Sequence, residues 1–591
     1  MAHKTSLLIL LLITMINAEA QKSKSLIAAD STYSTNLQLQ KKLDSIFSYL
    51  NKNTPGVAIT VFQNGKAIAK KNYGMANLEH GIPFTHQSAV RLVYSFGREF
   101  TCVGAAIMEA EGVLRFDDKV RNYFPKLPEW SEEVTIQDLM NHSSGFVDEW
   151  SPFGFVNEDM RSNLEVEQVL TMLYNQPQPE VEPGKGYMYN NTDIGLLRLI
   201  MEKASKQSLP DYLHKKLFAP LGMNQTFMND NVEQIIPGLA DDYYGKPPYR
   251  KGRWFKFSPG GNYRMVTSAS DLEKWALAIE DKNSLVTKAY ARLYQHARAI
   301  PVLSPERLYV FGHEWQTVNN TELIKYGGLG DFYIVRIPSQ KVSIVVLGNS
   351  DDHFAPATAF YKTFLPLVAE GKEDEEPENQ ARFFPDQSVT LTKEELKKYV
   401  GNYIGETKGY NSYVPAIKPY TIQLNADGLA VSIYGSDQIE SRLTAFGNGY
   451  FKDIENNAFM QFTQTHSDSN IQAEFWLENN RSFSLKMTRN KSKVVLDENY
   501  LQQFTGQYYC AQLDYYFRII MDEQGQLIIK RPTVRDVVMM PYIEDQFIVE
   551  GKTGDYSVFG KNIFTRNKDG NVDGFISRDS RSMNFRCDKV K

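Results

Sequence analysis

Between residues 37 and 50 apolar side chains recur at helical spacing, with Leu37, Leu39, Leu43, Ile46, Phe47 and Leu50 on one face. Pro55-Gly56 ends that pattern and the period changes. Val57-Ala-Ile-Thr-Val-Phe62 reads as a strand, Asn64-Gly65 as a hairpin turn, and Lys66 to Tyr73 as the returning strand. A second helical pattern follows Ser95, with Phe100, Ala105, Ala106, Ile107 and Met108 leading to Gly112. Shorter helices are predicted at 134–142, ended by Ser143-Ser144-Gly145, and at 166–174, 192–204 and 209–218. An amphipathic helix opens at Ser270-Asp271-Leu272, after Gly260-Gly261. Strands at 323–330, 332–337 and 342–347 follow, and a helix at 356–369 closes the segment. A helix and hairpin first, strands and a helix last, and helices between them describe an α/β unit whose sheet is assembled from both ends.

Beyond this the pattern changes character. Glu370 to Glu378 holds six acidic residues with almost nothing apolar, as a solvated linker would. Short alternating strands with frequent turns then run to the end. They contain a repeat: Leu391 to Tyr403 resembles Leu496 to Tyr508, each copy opening with a helix-like turn and Gly-x-Tyr. The predicted organisation is a signal peptide (1–20), a lead-in (21–36), an α/β domain (37–370), an acidic linker (371–387) and two all-β barrel or sandwich domains (388–492 and 493–591).

Composition narrows the function classes. Hydrophobic content of 42% and charged content of 23% fit globular domains. The net charge of −5 has no basic stripe beside it, so nucleic acid is not an expected partner. Lys4, the apolar run Leu7–Ile16 and Ala18-Glu19-Ala20 form an export signal, with the mature chain expected to begin near Gln21 in the periplasm or outside the cell. No stretch is long and apolar enough to span a membrane as a helix. Of the three cysteines, Cys102 falls on an apolar helix face, while Cys510 and Cys587 lie near the two ends of the last domain and could pair. The nine histidines form no H-x-x-x-H or H-E-x-x-H pattern, so neither a metal nor another cofactor is expected.

The candidate chemistry centres on Ser95, at the mouth of a helix where free N–H groups and the helix dipole can support an anion. Alone, such a serine is equally an N-cap. Its neighbours add meaning. Leu139-Met-Asn-His-Ser-Ser-Gly145, Glu182-Pro-Gly184, Tyr189-Asn-Asn191, Thr192-Asp-Ile-Gly-Leu-Leu197, Ala219-Pro-Leu-Gly-Met223 and Lys325-Tyr-Gly-Gly328 occur in an order that resembles the serine β-lactamase and penicillin-binding-protein superfamily. Within it, the chain is most similar to the class C-like branch of D-aminopeptidases, D,D-peptidases and esterases. The resemblance covers roughly residues 37–370. It implies a β-lactamase-like transpeptidase fold, an antiparallel sheet flanked by helices, and an acyl-enzyme on Ser95. It also implies Tyr189 as base, Asn191 as a hydrogen-bonding partner of substrate or cation, and Lys325 as a strand cation. Gly327 and Gly328 would lie at the oxyanion site. A register shifted by one would put Tyr326 in place of Lys325.

The departure from the family pattern is Ser95-Phe-Gly-Arg98, where Ser-x-x-Lys is expected. An arginine does not give up its proton near neutral pH, so Arg98 cannot be the general base. It can act as a fixed cation that favours the phenolate of Tyr189. The reading is an exported serine hydrolase acting on D-amino-acid peptides, small amides or esters. The alternative is an impaired relative that binds peptides or cell-wall fragments. Glu99, one step along the helix, points elsewhere. His142 and His313 read as packed structural residues.

Overall fold

In a computed structural model the chain is described over residues 36–92, 95–149, 165–231, 233–245, 247–252, 265–296, 300–301, 307–318, 321–327, 332–350, 387–408, 415–426, 428–433, 439–453, 458–464, 471–477, 480–489, 498–530, 536–543, 545–553, 556–579 and 582–590. The export signal, Gly260-Gly261, the closing helix at 356–369 and nearly all of the acidic linker lie outside the described residues.

The first hairpin pairs strand β1 (Val57–Gln63) with β2 (Lys66–Tyr73), and both turn residues, Asn64 and Gly65, take positive φ. The remaining strands of this sheet are β3 (Ile300–Pro301), β4 (Arg307–Val310), β5 (His313–Val318), β6 (Thr321–Gly327), β7 (Phe332–Ile337) and β8 (Val342–Gly348). They pair in the order β3-β4-β5-β6-β7-β8-β1-β2. β1 lies antiparallel to β8, Val57 opposite Gly348, so the sheet is closed from both ends of the domain as the periodicity implies.

Each face of the sheet is covered. Helix α1 (Asn36–Ile46) brings Leu39 and Leu43 onto Val57, Ile59, Val61, Leu323, Val335 and Ile344. On the other face Ala58, Ile324, Ile334 and Leu347 meet the helical layer. That layer contains α2 (Gly97–Ala110), α3 (Ile136–Met140), α4 (Val166–Tyr174), α5 (Thr192–Ser205), α6 (Ala269–Glu280) and α7 (Leu285–Gln295). α2 is its buried centre. Residues 209–218 are helical with a change of winding, Leu209–Leu213 continuing as a wider turn from His214 to Phe218.

A buried polar group ties sheet to helix. Thr60 Oγ1 lies 2.9 Å from His86 Nε2 and donates to Glu273 Oε1 at 2.5 Å, and Lys70 Nζ donates to Glu273 at 2.9 Å. The His86 pKa is lowered to about 4. Burial is the main cause and Lys70 contributes, while Glu273 and a hydrogen bond to the Ile59 backbone oppose it. An unfolded imidazole titrates near 6.5, so between about 4 and 6.5 the unfolded chain binds this proton more readily. The stability contributed by neutral His86 is therefore full above about pH 6.5 and declines as the pH falls toward about 4. Thermal unfolding measured from pH 7 to 4 should show the slope, and His86→Asn should flatten it.

The C-terminal third forms two closed eight-stranded antiparallel barrels, one from Gly401–Lys408 to Asn480–Arg489 and one from Gly506–Cys510 to Ser582–Lys589. The repeated Gly-x-Tyr has a physical basis. Tyr403 Oη donates to Tyr399 O and Tyr508 Oη to Phe504 O, both at 2.8 Å, which plugs each barrel against its opening helical turn. A Cβ at Gly401 would lie 2.8 Å from Arg489 Cδ, and one at Gly506 2.9 Å from Lys589 Cε. Cys510 and Cys587 are buried free thiols on the strands that close the second barrel. The turn after Cys510 meets the α/β domain: Leu513 packs on its core, and Asn175 Nδ2 donates to Ala511 O at 3.2 Å.

Candidate active site

Ser95 sits half-buried in the turn that opens α2. The strand before it, Ala89–Leu92, is paired with Met265–Ser268, and the buried ring of Phe96 packs on Phe100 and Phe332 with centroids 4.7 and 4.1 Å apart. These contacts fix the turn between helix and sheet. Arg98 follows one helical turn on and therefore shares the face of Ser95.

The Arg98 guanidinium is held from three sides. Nη1 donates to Tyr189 Oη at 2.9 Å, and Nη2 donates to Gly327 O at 3.2 Å and Gly312 O at 3.4 Å. Its central carbon lies 5.2 Å from the ring centroid of Tyr189 and 5.7 Å from that of Tyr309, within cation–π range. Burial lowers the Arg98 pKa, but the phenolic groups of Tyr309, Tyr189 and Tyr187, with Glu314, outweigh it and carry it above the ordinary value. Arg98 is a permanent cation. Burial likewise pushes the hydroxyls of Tyr187 and Tyr309 well above the usual range, keeping both neutral.

Room for the guanidinium comes from Gly312, where φ is +94° and a Cβ would lie 3.2 Å from Arg98 Nε. Gly312→Ala should destabilise the fold by about 1–3 kcal/mol through backbone strain and also reduce labelling of Ser95 by an acylating probe. Gly65→Ala is the control. It has φ +73° with nothing within 4 Å, so it should lower the melting temperature without touching the site.

Tyr189 belongs to the segment between Gly184 and α5. Gly184 N donates to Ser143 O at 2.8 Å and Met188 N to His142 O at 2.9 Å, lacing this segment to the Ser143-Ser144-Gly145 turn. His142 takes φ +53° and packs at a tilt against Tyr189, with ring centroids 4.5 Å apart. Its Nδ1 lies 3.4 Å from the buried Asp193 carboxylate, which also accepts from Ser144 Oγ at 2.5 Å. His142 thus supports the ring of Tyr189. Tyr189 Oη donates to Asn191 Oδ1 at 3.4 Å, and Asn191 Nδ2 donates to Asp148 Oδ2 at 3.1 Å. The result is a connected series, Arg98–Tyr189–Asn191–Asp148, that sets the phenol in one orientation.

The structure brings together Arg98, Tyr189, Asn191 and the carbonyl of Gly327, with Ser95 one turn from Arg98. Gly328 lies outside the described residues. Lys325 Nζ donates to Gln316 Oε1 at 2.9 Å. By strand alternation Lys325 shares the sheet face of Leu323 and Val335, which lie under α1. Tyr326 is on the opposite face, buried, with its hydroxyl accepting from Arg336 Nη1 at 3.1 Å and its pKa pushed up by burial to about 12. Sequence reasoning missed Asp148, Tyr187, Tyr309 and Gly312. Only the positive-φ requirement at Gly312 left a trace, as a glycine beside a strand. Among the described residues no group of three or more His, Cys, Asp or Glu side chains is placed to hold a metal ion.

A half-buried serine at the mouth of a central helix, a cation one turn on and a Tyr-x-Asn segment over an antiparallel sheet define a β-lactamase-like serine-hydrolase architecture. The sequence model of the family described as Beta-lactamase matches residues 41–364, more than half of the chain, and the chain belongs to that family, within the superfamily of penicillin-binding-protein-related serine hydrolases. Penicillin-binding protein 4* of Bacillus subtilis (strain 168) is 32% identical over 209 residues, which is 35% of this chain and 45% of that protein. Protein flp of Staphylococcus aureus (strain MRSA252) is 26% identical over 332 residues, 54% of this chain and 64% of that one. The chain thus spans about half to two thirds of the length of these relatives. The octameric penicillin-binding protein homologue from Pyrococcus abyssi resembles it in fold at 21% identity, with a TM-score of 0.50 over 76% of this chain and 99% of that one. Among the described residues no helix is long and apolar enough to cross a membrane.

Proposed function

We propose that the protein is an exported serine hydrolase that acts through an acyl-enzyme on Ser95 and takes D-amino-acid peptides, small amides or esters. The observation that carries this reading is the 2.9 Å hydrogen bond from Arg98 Nη1 to Tyr189 Oη, one helical turn from Ser95. A cation that never releases its proton stabilises the phenolic oxygen whenever that oxygen is negative. With its own proton lost to solvent, the Tyr189 phenolate takes the proton of Ser95 Oγ as the oxygen attacks the substrate carbonyl, and returns it to the leaving amine or alcohol. A water molecule, deprotonated by the same tyrosine, breaks the ester and the proton returns to Ser95. Arg98 keeps its charge throughout, so Tyr189 alone moves protons. The N–H groups at the mouth of α2 support the oxyanion.

D-peptide substrates are favoured by family membership and by the similarity to a B. subtilis penicillin-binding protein. Export rests on the N-terminal charge, apolar run and small-residue cleavage pattern. The second reading, a binding protein for peptides or cell-wall fragments, is favoured by the arginine at position 98. Hydrolysis of D-alanine p-nitroanilide and short-chain p-nitrophenyl esters separates the two. Turnover that disappears in Ser95→Ala supports the hydrolase, and equal background in both proteins contradicts it.

A further inference from the structure

Two consecutive residues of α2, Arg98 and Glu99, leave the helix on different sides and are met by two consecutive residues, Gly312 in the turn before β5 and His313 at its start. Gly312 O accepts from Arg98 Nη2 at 3.4 Å, and His313 Nε2 lies 2.5 Å from Glu99 Oε2. The second carboxylate oxygen of Glu99 accepts from Tyr290 Oη, and Tyr294 Oη lies 3.0 Å from His313 Nδ1. Glu99, His313 and Tyr290 are each at most 3% exposed. None of them contributes to the chemistry assigned to Ser95, Arg98 and Tyr189.

We propose that Glu99 and His313 are positioning residues that make an arginine workable at position 98, an inference that rests on reading Ser95 as the nucleophile. A guanidinium is a rigid fork whose donors need acceptors at fixed places, whereas an ammonium is a compact point charge that can rotate to find partners. One of the acceptors is the carbonyl of Gly312, a residue at φ +94° with no side chain of its own to anchor it. The adjacent His313 supplies the anchor, because Glu99 and Tyr294 hold both of its ring nitrogens. Glu99, next to Arg98 on α2, in turn ties that anchor to the helix, so that helix and carbonyl move together. Substituting either partner leaves a buried polar group unpaired and frees the Gly312 carbonyl to shift.

The test is the second-order rate of Ser95 labelling by a fluorophosphonate in wild type, Glu99→Gln, His313→Asn and Tyr294→Phe, each repeated in an Arg98→Lys background. Tyr294→Phe removes only one hydroxyl and keeps the ring, so it remains informative if a change at Glu99 or His313 impairs folding. Misplacement of a catalytic group by about 1 Å is worth about 100-fold in rate. Glu99→Gln and His313→Asn should therefore slow labelling about 10- to 100-fold and Tyr294→Phe several-fold, with changes below about threefold in the Arg98→Lys background. Equal losses in both backgrounds would overturn the proposal, since general loosening of the site acts on either cation. The guanidinium nitrogen signals of Arg98, identified by their loss in Arg98→Lys, give a readout independent of Ser95. They should be resolved in wild type and rotationally averaged in Glu99→Gln and Tyr294→Phe. Signals unchanged by these substitutions would contradict the positioning role even if wild type fails to label, an outcome that by itself refutes only the nucleophile assignment.

Discussion

Tyr189→Phe lowers the rate of Ser95 acylation by about 10²- to 10⁴-fold, the usual worth of general-base assistance, and leaves the thermal unfolding midpoint near that of wild type. The ring is buried against His142 and stays in the phenylalanine variant. Only the hydroxyl is lost, and with it the acceptor for Arg98 Nη1 and the donor to Asn191. Arg98 keeps its two carbonyl partners at Gly312 and Gly327, so the cradle survives while the proton acceptor does not. Arg98 holds its proton, and burial keeps the Tyr187 and Tyr309 hydroxyls protonated, so none of these three neighbours replaces Tyr189 as base. Stopped-flow acylation by an activated ester, with calorimetry of the same samples, measures both quantities. A variant that acylates at the wild-type rate would remove Tyr189 from the chemistry.

The second large effect is at Arg98. Two tendencies oppose each other in Arg98→Lys. A lysine can lose its proton when desolvated and could share the work of the base, which would raise the rate. It also presents one nitrogen where the arginine presents a fork, and cannot satisfy Tyr189 Oη, Gly312 O and Gly327 O in the same geometry. The space opened by Gly312 and the two aromatic faces suit a planar guanidinium. The loss of fit dominates, and labelling should slow about 10- to 100-fold, the scale of a 1 Å misplacement. A gain in rate would mean that the cradle does not favour arginine and that the natural site is impaired.

Much of the α/β domain was legible because its period changes from 3.6 to 2 at Pro55-Gly56 and back again after Ser95. The barrels were legible through Gly-x-Tyr, whose tyrosine closes each barrel from inside. Ser95, Arg98, Tyr189 and Asn191 could be named from local motifs, since each lies at or beside a helix mouth. What surrounds them could not. Gly312 reaches Arg98 from more than 200 residues away, and nothing local in Phe311-Gly312-His313 marks a carbonyl that will meet an arginine. Asp148 lies in an aperiodic loop, where pattern carries no direction. Lys325 illustrates a different limit. Its strand was evident, but the sheet face it occupies depends on the pairing register, and a slip of one residue reverses it. The pairing places it with Leu323 and Val335, and Tyr326 with Ile324 and Ile334.

The most direct test of the central claim is the intact mass of the protein after incubation with a fluorophosphonate probe, beside a Ser95→Ala control. A single adduct on the wild type that is absent from Ser95→Ala is the predicted result, and it would mean that the serine is activated with an arginine in the family's lysine position. No adduct, or an adduct that persists in Ser95→Ala, would contradict the account and turn attention to ligand capture by a cleft without turnover.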